Sequence, residues 1–308
     1  MFCKTGYAQE PATHPDSAKI VTSDIRLFWD AYDSSTAEDR ADVFQSDYFN
    51  RGSEGLKAFI KLRIKSAEDL AQVVNSHPRY YASARESILR ITDYEATIRK
   101  AFHKLEALYP DAVYPNVYFV IGRMNSGGTT SDEGLLIGAE MFGRTPQMPV
   151  EELDNWHRAV LTPVENIPHI VAHELIHYQQ HYTHKPKTLL ERAIKEGIAD
   201  YVAKLISGDT INPKMYQWGE RHESDTWCRF KEEMFGEDIS NWLYNGSATK
   251  NRPADLGYFM GYKIAEAYHK QADVNDTEVL RDLFTIPDFK TFLKESKYAQ
   301  QFVCESNH

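Results

Sequence analysis

The chain has 308 residues, 42% hydrophobic and 26% charged. That is the make-up of a globular protein with a sizeable core, and it excludes a disordered or fibrous chain. Thirty-five basic residues against 45 acidic ones give a net charge of −10, which offers nonspecific binding to nucleic acid or anionic membrane no compositional support. No apolar run approaches the roughly 18–20 residues a membrane-spanning helix requires.

The first 20 residues are polar and contain proline. Within Thr5-Gly6-Tyr7-Ala8-Gln9, Gly6 and Ala8 have the small-residue spacing of a signal-peptidase site, but no basic or apolar stretch precedes them. Two readings stay open: a disordered tail, or the remnant of an export signal that begins further upstream. The first leaves the protein cytoplasmic and the second places it in the periplasm or outside. Cys3, Cys228 and Cys304 are odd in number and lack CxxC spacing. Free thiols are expected, with a single bridge as the alternative.

Residues 21–110 read as an all-helical N-terminal region. Ile25, Leu27, Phe28 and Tyr32 recur at helical spacing, Ser66 ahead of Glu68 and Asp69 marks a helix start, and Pro110 closes the region. The period then changes. Residues 117–121 and 135–139 are short apolar, β-branched runs on either side of a turn-rich stretch at 125–131, which predicts two antiparallel strands. Four prolines within 143–168 predict a loop with at most a helical turn. Asn166-Ile167-Pro168 opens a helix expected to reach about Tyr182. Thr188 and Glu191 form a capping-box pattern for the next helix, which should stop at Ser207-Gly208. Residues 209–252 read as a helical insertion with loops, 253–270 as another helix, and 278–303 as two short ones.

The chemistry lies in His173-Glu174-Leu175-Ile176-His177. Four residues on a helix turn about 40° past a full circle, so His173 and His177 project from one face and can meet one metal ion. Glu174, one position round, is placed as a general base and not as a ligand. With 12 histidines in the chain, a chance HExxH is expected in roughly 4% of such sequences. Ile170, Val171, Leu175 and Ile176 supply apolar residues to bury the rest of that helix. Glu196 is the expected third ligand, since Ala193, Glu196, Asp200 and Ala203 share a face of the next helix. Asp200, one turn on, is placed to accept the outer N–H of a zinc-bound histidine. An ordinary surface helix with an acidic stripe is the bland alternative. A histidine third ligand in the HExxHxxGxxH pattern is rejected, because Gln180 and Thr183 stand where glycine and histidine are required and His184 comes one residue late. His169 and His181 extend the stripe, but three successive turns cannot reach one tetrahedral ion.

Residues 170–180 and Glu196-Gly197-Ile198-Ala199-Asp200-Tyr201 resemble the gluzincin clan of metallopeptidases, whose signature is HExxH followed by a glutamate helix with an acidic residue one turn on. The wording is similar to a bacterial family of predicted zinc-dependent proteases, some of whose relatives are gliding-motility-associated. The resemblance covers about residues 45–270, with specificity only in the zinc motifs. It implies a mostly helical α+β fold, with a zincin-like core of a small antiparallel sheet and active-site helices over 111–308. It also implies one Zn2+ ion and hydrolysis of a peptide or protein substrate. The clan uses a downstream tyrosine or histidine for the oxyanion, which carries over to Tyr258 first and Tyr262 second, with Gly257 and Gly261 clearing space beside them. It also binds substrate along an edge strand, here 135–141. There Glu140 either binds a free amino terminus or is a solvated strand residue. A zinc peptidase acting through Glu174 is the leading expectation. A zinc-containing interaction or scaffold protein, or a zinc hydrolase of a non-peptide amide, are the alternatives. Side-chain preference and oligomeric state cannot be read from the chain.

Overall fold

The computed structural model describes residues 11–246, 249 and 251–304. Cys3 and the signal-peptidase-like stretch at 5–9 lie outside the described residues. The protein is a mostly helical α+β structure with a small four-stranded mixed sheet. It divides into two compact units. The first takes the chain up to His103 and then Val113–Tyr178; the second takes Lys104–Ala112 and everything from Gln179.

In the first unit, α1 (Ser23–Asp33), α2 (Arg40–Val43), α3 (Glu54–Phe59), α4 (Ala67–Ser76) and α5 (Pro78–Leu89) follow one another, and α6 (Glu95–Leu108) begins. Caps explain their starts. The Ser53 hydroxyl accepts from the Leu56 N–H, and that of Ser66 from Asp69, each at 3.1 Å. Phe28, Trp29, Phe44, Tyr48 and Tyr81 are buried together, with Phe28 centred 5.0–6.0 Å from the rings of the other four.

The sheet comprises β1 (Ile20–Val21), β2 (Val117–Val120), β3 (Gly128–Ser131) and β4 (Gly134–Gly138), in the order β1-β2-β4-β3. The two apolar runs were expected to be antiparallel, and they are parallel: Val117 pairs with Leu135 and Val120 with Gly138. The turn-rich stretch between them contains a strand of its own. β3 returns on β4 as a hairpin, with Ser131 paired to Gly134 across the two-residue loop Asp132-Glu133. The physical reason is visible in burial. Every residue of β2 and β4 is buried, the habit of central parallel strands, and an apolar run carries no mark of pairing direction. Gly134 takes φ +137°, and a Cβ there would sit 2.2 Å from the Asn116 carbonyl oxygen.

Residues 135–141 do not form the edge strand, because β3 covers β4. Glu140 is neither on a strand nor solvated. It lies on the 3₁₀ turn Ala139–Phe142, wholly buried, and accepts from the N–H groups of Gly122 at 2.9 Å and Met124 at 3.0 Å. Burial pushes its pKa up to about 7 against the pull of those bonds. The 143–168 loop holds more helix than the single turn expected, in α7 (Asn155–Val160), capped by Asp154, while α8 (Ile167–Gln179) opens at the Asn166-Ile167-Pro168 start as expected.

In the second unit, α9 (Leu189–Ser207) opens on the full Thr188–Glu191 capping box and ends on Gly208 at φ +95°. The helices α10 (Pro213–Arg221), α11 (Glu223–Glu233), α12 (Leu256–Gln271), α13 (Asp276–Phe284) and α14 (Phe289–Glu295) follow. α9 and α12 approach backbone to backbone. A Cβ on Gly197 would lie 2.1 Å from the Gly261 carbonyl carbon, and one on Gly261 would lie 1.7 Å from the Ala193 carbonyl oxygen. Gly257 likewise faces Leu243 and the Trp242 carbonyl. The space these glycines clear is therefore filled by the chain's own backbone. Cys228 and Cys304 form a disulfide across 76 residues, in place of the free thiols expected, because scattered spacing carries no pairing information. Among the described residues no helix is long and apolar enough to cross a membrane.

Candidate metal centre

Pro168 sits in the first turn of α8, where its missing N–H costs nothing. The helix stops at Gln179 and not at Tyr182. There the chain turns to α13: the His181 N–H donates to the Phe284 carbonyl at 2.7 Å and the Tyr182 hydroxyl to Leu283. Residues 170–176 are buried on every side of the helix, including His173 and Glu174 at 5% and 7% exposure. The rings of His173 and His177 lie edge to face with centroids 4.5 Å apart, as the four-residue spacing predicts. β3 passes beside Glu174. A Cβ on Gly128 would come within 2.6 Å of Glu174 Oε1, so the absence of a side chain there makes room for the carboxylate.

Glu196 occupies the middle of α9, 6% exposed. The Tyr244 hydroxyl donates to its Oε1 at 3.0 Å. Burial, together with the Glu196 charge, pushes the pKa values of Tyr182, Tyr244 and Tyr258 upward, so these phenols keep their protons. One turn on, Asp200 accepts from the Tyr216 hydroxyl at 2.5 Å. Tyr258 lies on α12 with its ring 6.2 Å from that of Tyr244. Tyr262 is packed between the rings of Tyr201 and Tyr216 at 5.2 and 5.0 Å, beneath the Lys204 ammonium. Tyr244 escaped the sequence reading. It sits 48 residues from Glu196 in an irregular segment, at a left-handed φ of 56°, and no periodicity or motif marks it.

A ring nitrogen from each of His173 and His177 and a carboxylate oxygen of Glu196 all lie within 4.8 Å of one another. Among the described residues this is the group of His, Cys, Asp or Glu side chains so gathered, and His169, His181 and His184 are not in it. Two imidazoles and one carboxylate are a donor set that suits Zn2+. With bonds of about 2.0–2.2 Å, tetrahedral donors stand roughly 3.4 Å apart, so small side-chain rotations bring the three into range. The residues fit the ion in type and number.

Residues 13–300 match the family model described as Gliding motility protein GldB, and the chain belongs to that family. No curated protein and no solved structure matches it. This match corrects the resemblance read from the motifs: the chain is assigned to the GldB family and not to a metallopeptidase clan. The reason lies in signal length. Five residues and one downstream glutamate recur by chance in a few per cent of chains, whereas the family match extends over most of this one.

Proposed function

We propose that the protein is a zinc-dependent hydrolase of amide bonds, with a peptide or protein as substrate. The observation that carries this reading is the gathering of three ligand atoms within 4.8 Å around a helix that also buries Glu174. His173, His177 and Glu196 would hold one Zn2+ ion, which when bound supplies Lewis-acid chemistry that polarises a carbonyl and acidifies water. Glu174 takes a proton from the attacking water and passes it to the leaving nitrogen as the C–N bond breaks. Tyr244 fixes the Glu196 carboxylate by its hydroxyl, and Asp200, itself held by Tyr216, steadies the same helix face. Tyr258 donates to the developing oxyanion from a phenol that burial keeps protonated. Tyr262 ranks behind it, because its ring is committed to packing. An extended substrate lies along β3, the edge strand of the sheet, whose Gly128 lets the Glu174 carboxylate stand against it. The Cys228–Cys304 bridge suits an oxidising compartment, which favours export over a cytoplasmic place.

Glu174→Gln tests the reading. Zinc stoichiometry, measured by mass spectrometry of the native protein, stays at one, while cleavage of a complex peptide mixture disappears. Full cleavage by that variant would sink the role of Glu174. The family description favours a second reading, in which the metal braces an interaction protein of the motility apparatus and no bond is cut. Wild-type protein that holds one zinc ion and cleaves nothing selects it.

A further inference from the structure

The second unit contains a cavity of about 610 Å³, lined from α10, α11, the residues after α11 and the start of α12. Trp218, His222, Asp225, Arg229, Asn245 and Arg252 contribute to its wall. Its charge is unbalanced. Arg229 has no hydrogen bond or ion pair with any described residue. Arg252 donates to the Asn241 carbonyl and lies 4.7 Å over the Trp242 ring, with no carboxylate bonded to it among the described residues. Burial and the neighbouring Arg229 charge both depress the Arg252 pKa, and Glu233 only partly offsets them. Asp225 is the one acidic residue of the lining.

Asn245 adds a second, independent observation. It is 7% exposed, and its position is fixed by reciprocal bonds with Asp255: its N–H donates to Asp255 Oδ1 at 3.0 Å and its Oδ1 accepts from the Asp255 N–H at 2.8 Å. That pairing orients the side chain and leaves its amide NH2 without an acceptor among the described residues. That NH2 can donate to an acceptor bound in the cavity. His222 Nδ1 is engaged with the Trp218 carbonyl at 2.8 Å, and the two rings stack with centroids 4.0 Å apart, giving the cavity a flat wall.

We infer that this cavity binds a small molecule headed by an oxyanion, a phosphoryl or a carboxylate group, whose oxygens accept from Arg229, Arg252 and the Asn245 amide. Guanidinium groups present paired N–H donors that match such oxygens two at a time. Asp225 supplies the acceptor for a hydroxyl or ammonium group on the same ligand. The inference uses none of the proposed metal ligands and does not rest on the hydrolase reading.

Isothermal titration of the whole protein with inorganic phosphate, a hexose phosphate, the free hexose, glutamate and glutamine amide tests it. Saturable binding of one or more anions, absent for the free hexose, is expected. Arg229→Gln, an exposed position whose change leaves the melting curve intact, should weaken binding about tenfold or more. Arg252→Gln should do the same. Phosphate compounds binding without the carboxylates identifies a phosphoryl head, and the reverse pattern a carboxylate head; either supports the site. No saturation by any anion up to about 10 mM overturns it, as does an unchanged affinity in both arginine variants.

Discussion

Gly261→Ala pits helix propensity against packing, and the two predict opposite signs. In an exposed helix interior the change gains roughly 1 kcal/mol. Here the new methyl would stand 1.7 Å from the Ala193 carbonyl oxygen and 2.4 Å from its carbon. Contact at about 3.5 Å is the closest that carries no repulsion, so α9 and α12 must part by roughly 1.5 Å or more. The obstacle is backbone on both sides, and no side chain can swing away. Overpacking of this kind costs about 1–3 kcal/mol and occasionally more, which outweighs the propensity gain. A net loss of about 2 kcal/mol is expected, a fall in melting temperature of roughly 4–8 °C for a unit of this size. Hydrogen exchange should quicken in α9 and α12 before it does so around the sheet of the first unit. Gly208→Ala provides the contrast: nothing lies within 4 Å of its Cβ, so only its φ of +95° is penalised, by about 1 kcal/mol. A Gly261→Ala protein as stable as wild type, or more so, would refute the close backbone crossing.

Replacing both Cys228 and Cys304 by alanine frees a 76-residue loop and should destabilise the second unit by up to about 4 kcal/mol, read from urea unfolding with and without reductant; a change below about 1 kcal/mol would contradict a structural bridge. Glu140 keeps its proton in the folded protein up to about pH 7, while the unfolded chain loses it near 4.5, so the fold is favoured below the lower value. Between them stability should fall with rising pH, by up to roughly 3 kcal/mol, and level off above 7. Tyr48, Tyr80 and Tyr81, which feel the Glu140 charge, stay neutral through that range, so Glu140→Gln should flatten the slope; an unaltered slope assigns it elsewhere. Gly128→Ala places a methyl 2.6 Å from Glu174 Oε1 and displaces that carboxylate. It should lower cleavage by tenfold or more at unchanged zinc stoichiometry, and equal cleavage by the variant would detach β3 from the site.

Helices were legible wherever the signal is local. Ser66, Thr188, Glu191 and Gly208 each act within four residues of where they stand, and each does so in the structure. The sheet was not, because strand direction is decided by partners far away in sequence. Val117 and Leu135 look the same whichever way they pair, and the turn residues at 125–131 concealed a strand whose own side chains are only half buried. The histidine pair followed from helix geometry alone. Tyr244, bonded to Glu196 from an irregular segment, and the Cys228–Cys304 bridge depend on long-range folding that neither period nor spacing encodes.

Four of the buried carboxylates separate into two kinds, and the separation bears on which of them do chemistry. Asp24 accepts from the backbone N–H and the hydroxyl of Ser53, and Glu140 accepts from two backbone N–H groups. Such partners are fixed by the fold and tie down irregular backbone, so these two acids are explained as structure. Glu196 and Asp200 count among their partners the phenols of Tyr244 and Tyr216, each at the end of a long side chain from another segment. A phenol can turn away when a stronger electrophile arrives, and its donation still leaves lone pairs on the carboxylate. In the proposed function Glu196 turns to a cation, a role for which Glu140, tied to two backbone N–H groups, is not placed. On that ground zinc should protect α9 from hydrogen exchange and leave the 139–142 turn unchanged, and protection of both alike would remove the distinction.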